Sequence, residues 1–210
     1  MGIKDLTIGE FVEQVSSKEP VPGGGAVGAV VAALAAGLTE MVANLTIGKK
    51  KYKEWEAEME RVISKMEEIK DELYLIAKKD MDAFNAFMET MKLPKGTEEE
   101  KKIRQEKMQE ALKGAIDVPY ELARKSRDII KQAEIVTEFG NKNAVSDALS
   151  SAELCRAAFE IAKANVQINL KYLKDEKLKE YYEQETDELE KQVYGSYKRI
   201  KEMIEENGWL

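Results

Sequence analysis

Between Glu19 and Glu40 no residue carries a charge, and the stretch is followed shortly by three consecutive lysines, Lys49 to Lys51. About 20 uncharged residues reach the minimum length of a membrane span, and Gly24 and Gly28 form a G-x-x-x-G pair. Pro20, Pro22 and Gly23 to Gly25 use up the first part of that window, however, so too little helix remains before Glu40 to cross hydrocarbon. What remains is Ala and Gly rather than Leu and Phe. A helix of small residues lets other helices approach closely on all sides, which is the requirement at the centre of a helical bundle. The expectation is therefore a buried Ala/Gly-rich central helix, with no membrane partner.

The remainder of the chain repeats one theme, long helices with few breakers. Thr7 and Glu10 form a T-x-x-E capping box ahead of a short first helix, and Pro20 closes that segment. From Tyr52 to Met91 there is neither Gly nor Pro, and apolar residues recur at Met59, Val62, Ile63, Met66, Ile69, Leu73, Ile76 and Ala77, which is helical spacing. "KLPKGT" breaks the pattern, and Thr97 with Glu100 makes a second capping box. Pro119, two residues after Asp117, predicts a restart or kink before the helix runs on to Phe139. "GNKN" is the next turn, followed by an apolar-rich helix over about Ala144 to Leu173. An acidic, lysine-laced helix ends at the C-cap pair Asn207-Gly208. No segment alternates with the period of a strand. The reading is all-α, a single helical domain over residues 1–210 built as a bundle of long helices.

Charge and composition narrow the chemistry. Asp and Glu outnumber Lys and Arg 40 to 33, a net charge of -7, which argues against a nucleic-acid partner. The absence of histidine removes His-based triads and the commonest metal ligand, so no metal site is expected and any acid or base must be Asp, Glu, Lys or Tyr. The single cysteine, Cys155, excludes an internal disulfide framework. The start, "MGIKDLTIGEFVEQ", has early acidic residues and no apolar h-region, so a cytoplasmic protein is expected.

Two features sit badly with a purely structural bundle. Asp147, Asn165 and Asn169 interrupt a helical stripe made of Ser151, Leu154, Cys155, Ala158, Ile161 and Ala162. Asp147 and Asn165 share a face, but at 18 residues apart they are separated axially by about 27 Å. Buried amides and carboxylates cost free energy unless hydrogen-bonded, so each needs a neighbouring helix or a ligand. The second feature is the Gly23 to Gly25 turn, which opens a helix whose first N–H groups attract anions. It is not a Walker motif, since the G-K-[ST] ending is missing. Lys49 to Lys51 complement the negative end of the central helix in any case.

Three blocks taken together resemble a known family. "PVPGGGAVGAVVAALAAGLTEMVANLTIGKKKY", "DMDAFNAFMETMKLPK" and "EFGNKNAVSDALSSAELCRAAFEIAKANVQINL" are similar, in order and spacing, to the signature blocks of the formiminotetrahydrofolate cyclodeaminase and methenyltetrahydrofolate cyclohydrolase family. Ala26 stands where that family often has Ser, and Leu149 where a Gly usually follows the Ser146-Asp147 pair. The resemblance implies an all-helical domain, at least a homodimer, free-standing here rather than fused to a formiminotransferase. It implies a tetrahydrofolate derivative as substrate and no tightly bound cofactor.

In cyclodeamination, N10 of the folate attacks the formimino carbon on N5, and the bridged intermediate expels ammonia to leave the 5,10-methenyl cation. Ring closure needs positioning and ammonia loss needs a proton donor. Without histidine, the resemblance points to Asp147 or Asp80 as proton shuttle. Asp147 is the first choice, because it follows the Asn141-Lys142-Asn143 turn near a helix start. Asp80, beside Lys78, Lys79 and Asp82, reads equally as part of a solvated face. Asn44, Asn141, Asn143, Ser146, Asn165 and Asn169 are the polar residues suited to a pterin edge, or to bonds between helices. Lys49 and Lys50 suit the carboxylates of the glutamate or polyglutamate tail, and Gly23, Gly24 and Gly25 let folate lie against backbone. Methenyltetrahydrofolate cyclohydrolase, with water adding to the same carbon, would use the same residues. A non-enzymatic helical folate-binding or interaction protein is the alternative of another class.

Overall fold

The computed structural model describes residues 2–209, and those residues contain no strand. Six α-helices follow one another: α1 (Ile8–Val15), α2 (Gly24–Asn44), α3 (Glu56–Met91), α4 (Glu98–Phe139), α5 (Val145–Leu170) and α6 (Glu176–Glu206). Short 3₁₀ turns lie at Ile3–Asp5, Lys50–Trp55 and Lys142–Ala144. The expected signals act where the sequence places them. Thr7 and Thr97 close capping boxes with Glu10 and Glu100, and Gly208 takes a positive φ of 59° just past α6.

The core is organised around α2, which packs against α3, α4 and α5. Its contribution is mostly alanine: Ala26, Ala29, Ala32, Ala35 and Ala36 have no exposed surface. Small side chains on α2 bring the large ones of its neighbours within reach, Met59, Met66, Ile69 and Leu73 on α3, Ile129 and Ile130 on α4, Phe159 on α5. The approach is close at Gly28, where an added Cβ would lie 2.8 Å from Ile161 Cγ2 and 3.1 Å from Leu122 Cδ2. Thr39 and Ser151 meet through a 2.7 Å hydrogen bond, and Ser151 Oγ also donates to Ala35 O. The polar position on α5 is thus satisfied by α2, as buried hydroxyls require. Cys155 is fully buried, and burial pushes its thiol up, leaving it unreactive.

α2 is the Ala/Gly-rich core helix expected at the centre of the bundle, although by length and composition alone it is long and apolar enough to span a membrane and its Pro/Gly-rich start does not shorten it below that length. α6 packs against α4 and α5 rather than against α2, so one face of α2, with Leu34, Met41 and Leu45, stays exposed. Pro119 neither ends nor restarts its helix: α4 is continuous from Glu98 to Phe139. Proline lacks the N–H that would bond the carbonyl four residues back, here Ala115. Asn169 Nδ2 on α5 donates to that carbonyl at 2.7 Å. The side chain of another helix replaces the missing bond.

Candidate functional site

At the N-terminal end of α2 a cleft of about 340 Å³ opens between α2, α3, α4 and α5. That volume falls in the range of small-molecule sites, about 300–1,000 Å³. Pro20 and Val21, ahead of a cis Val21–Pro22 peptide, and Gly23 to Gly25 form one side. Asp80, Ala83, Phe84 and Phe87 come from α3, Ala115 and Val118 from α4, and Asn165, Ile168 and Asn169 from the last turns of α5. The chemistry is uneven: an apolar wall faces one carboxyl and two amides.

Among the described residues Asp80 is the only carboxyl lining this cleft. Its neighbours Lys78 and Lys79 turn the other way, pairing with Asp82 at 2.5 Å and with Glu121 at 3.0 Å. Asp80 Oδ2 accepts the Ala26 N–H at 3.0 Å. That N–H belongs to the first turn of α2, which has no partner within the helix, and the N-cap Gly23 has no side chain to supply one. Burial raises the Asp80 pKa, and the Ala26 N–H opposes part of the rise. The result is a carboxyl held in place whose pKa lies above that of an ordinary aspartate.

The two amides are partly committed. Asn165 Nδ2 donates to Ile161 O at 2.8 Å within α5, and Asn169 Nδ2 serves the Ala115 carbonyl. The donors hold the side chains still, while each Oδ1 stays available as an acceptor.

The structure therefore brings together Gly23, Gly24, Gly25, Asp80, Asn165 and Asn169. It places Asn44, Lys49, Lys50, Asn141, Asn143, Ser146 and Asp147 at the other end of α2, whose 21 residues span about 30 Å. There Asn141 is a structural knot: its N–H donates to Thr46 Oγ1, its Nδ2 to Leu45 O, and its Oδ1 accepts the Asn143 N–H. Lys142 caps α4 by donating to Thr137 O and Glu138 O, both at 2.6 Å. Asn44, Lys49, Lys50, Asn143 and Ser146 are exposed. Asp147 is half-buried and makes no side-chain hydrogen bond or ion pair among the described residues. Within one protomer, Asp147 and Asp80 cannot both touch one reacting carbon.

Phe84 and Phe87 went unnoticed in the sequence. They follow Asp80 at i+4 and i+7 on α3, so one helical stripe delivers the carboxyl and both rings to the cleft. That spacing was the available signal.

The sequence pattern of the family described as formiminotransferase-cyclodeaminase matches residues 7–188. A methenyltetrahydrofolate cyclohydrolase from Methylorubrum extorquens is 41% identical over 94% of this chain and 95% of its own length. A formimidoyltransferase-cyclodeaminase from Gallus gallus is 38% identical over 85% of this chain, which corresponds to 33% of that longer protein. A crystal structure of formiminotetrahydrofolate cyclodeaminase from Thermotoga maritima matches with a TM-score of 0.89 and 43% identity, covering 99% of this chain and 100% of that one. With its whole helical architecture and most of its length accounted for, the chain belongs to the formiminotransferase-cyclodeaminase family.

Proposed function

We propose that the protein is a cytoplasmic formiminotetrahydrofolate cyclodeaminase of one-carbon metabolism, and that the cleft at the start of α2 is its active site. The observation that carries this reading is the Asp80 carboxyl, half-buried, held by the Ala26 N–H and lining one cleft with two phenylalanines and two asparagine amides. The rings of Phe84 and Phe87 suit a flat pterin, and the oxygens of Asn165 and Asn169 suit its N–H edges. The formimino group enters as its protonated amidinium, and ionised Asp80 takes the proton from N10 as N10 closes on the formimino carbon, which leaves a neutral intermediate carrying NH2. The resulting acid hands that proton to the amine nitrogen, the C–N bond to that nitrogen breaks, and ammonia leaves. The carboxylate left behind faces the 5,10-methenyl cation and stabilises its charge. The similarity to the Thermotoga maritima cyclodeaminase over the full chain supports this choice.

The second reading is methenyltetrahydrofolate cyclohydrolase, favoured by the 41% identical Methylorubrum extorquens relative. In it Asp80 takes a proton from water adding to the methenyl carbon and returns it to N5 as the ring opens, while the hydroxyl proton of the carbinol leaves to solvent as the formyl group forms. One assay separates the two. On 5-formiminotetrahydrofolate, a cyclodeaminase generates the methenyl chromophore and releases ammonia. A protein that leaves this substrate untouched, yet speeds the decay of authentic methenyltetrahydrofolate, is a cyclohydrolase.

A further inference from the structure

Gly25 stands where its role is visible in what it lacks. A Cβ built on it would lie 2.0 Å from Asp80 Oδ1 and 2.4 Å from Asp80 Cγ, far inside any contact distance. At the N-cap, Gly23 is extended, with φ -108° and ψ -161°, the backbone of an N-cap residue but without the oxygen that Ser, Thr, Asp or Asn would offer. The N–H that such an oxygen would engage, that of Ala26, is taken by Asp80, 54 residues away on α3. The glycines thus remove both obstacles to a carboxylate arriving from another helix, a competing cap and a blocking methyl.

We infer that Gly25 and Gly23 are positioning residues, whose absent side chains let the Asp80 carboxyl act as the N-cap of α2 and so fix it at the reacting end of the cleft. This rests on the reading of Asp80 as proton shuttle, and it assigns the glycines to the carboxyl rather than to direct contact with folate. Among the described residues no other charged group reaches the carboxyl: on α3 Lys78 and Lys79 are paired elsewhere, α5 presents the amides of Asn165 and Asn169, and α4 presents Ala115 and Val118.

Two substitutions test it by different routes. Gly25→Ala pushes the carboxyl off the Ala26 N–H. Gly23→Ser leaves space intact, since its Cβ would meet only Pro20 O at 3.4 Å, but supplies a hydroxyl that competes for the same N–H. Each should lower kcat about ten- to a hundredfold, the usual cost of misplacing a catalytic group by about 1 Å. KM should stay within about twofold. Thermal midpoints should hold or rise, because alanine and an N-cap serine both favour a helix. In an Asp80→Asn background neither change should cost further turnover. Equal losses in that background, or a raised KM with unchanged kcat, would assign the glycines to the substrate and overturn the inference. Full turnover in both variants would overturn it as well. Should Asp80→Asn itself keep full turnover, the shuttle assignment fails first. Positioning is then read from the carbon-13 titration of the Asp80 carboxyl: because the Ala26 N–H opposes the rise that burial causes, a further shift away from the ordinary aspartate range in Gly23→Ser supports it, and an unchanged titration rejects it.

Discussion

Asp80 and Asp147 are the same side chain in two settings, and the settings separate their expected behaviour. Asp80→Asn preserves shape and an oxygen for the Ala26 N–H but cannot cycle a proton, so turnover should fall by roughly 10² to 10⁴ with folate affinity little changed. Stability should move the other way. Burial raises the folded-state pKa of Asp80, so the folded chain binds that proton more tightly than the unfolded one. Stability is then lost as pH rises from the ordinary carboxylate range through the raised value. Removing the carboxyl removes that loss: the variant should melt no lower than the parent at neutral pH, and the gap should close in acid, where both side chains are neutral. Melting curves across pH, run beside a methenyl-formation assay, check both halves. Asp147→Asn, at the far end of α2, should keep turnover within about threefold, a change too small for loss of an acid–base group. A larger drop would return Asp147 to the mechanism. The sequence marked both aspartates but ranked them by neighbourhood along the chain. What distinguishes them is which face of α3 turns inward, and that is set by packing against α2.

Helix ends were legible because capping is local: Thr7 with Glu10 and Thr97 with Glu100 are decided within four residues. The path of α4 through Pro119 was not, because the compensating group sits on α5, 50 residues later. A double-mutant cycle measures the compensation. Asn169→Ala should destabilise the parent by about 1–2 kcal/mol, the cost of leaving the part-buried Ala115 carbonyl without its partner. With Pro119→Ala already in place, the new N–H reaches that carbonyl, and the same substitution should cost less by about 1 kcal/mol. Lost packing is common to both backgrounds and cancels. Identical costs in the two backgrounds would show that Asn169 and Pro119 act independently. The same logic explains the partial legibility of the cleft. The glycines and Asn165 stand out in the sequence as oddities, whereas Phe84 and Phe87 look like ordinary core residues until α3 is placed.

For the whole molecule, the uncharged character of α2 outlasts its burial. Leu34, Met41 and Leu45 are 56%, 39% and 42% exposed, and with Gly37 and Leu38 they share one face of the helix. Beyond Gly37 there is open space, with no atom within 4 Å of where its Cβ would lie. An exposed apolar stripe on an otherwise highly charged surface is the kind of face through which chains associate, and its composition would suit a second copy of the same chain. Two-fold association brings each residue near its own counterpart, which charged residues resist and an uncharged stripe does not. Antiparallel α2 helices also oppose their dipoles, and the bare Gly37 lets the backbones approach. The protein should therefore sediment as a dimer at micromolar concentration. Leu34→Glu with Met41→Glu should shift it to monomer without unfolding it, because both side chains lie outside the core. A parent that sediments as a monomer, or a variant that stays dimeric, would move the contact away from this face. The glutamates replace only exposed side chains, so helix content by circular dichroism should be unchanged, which separates loss of association from loss of fold.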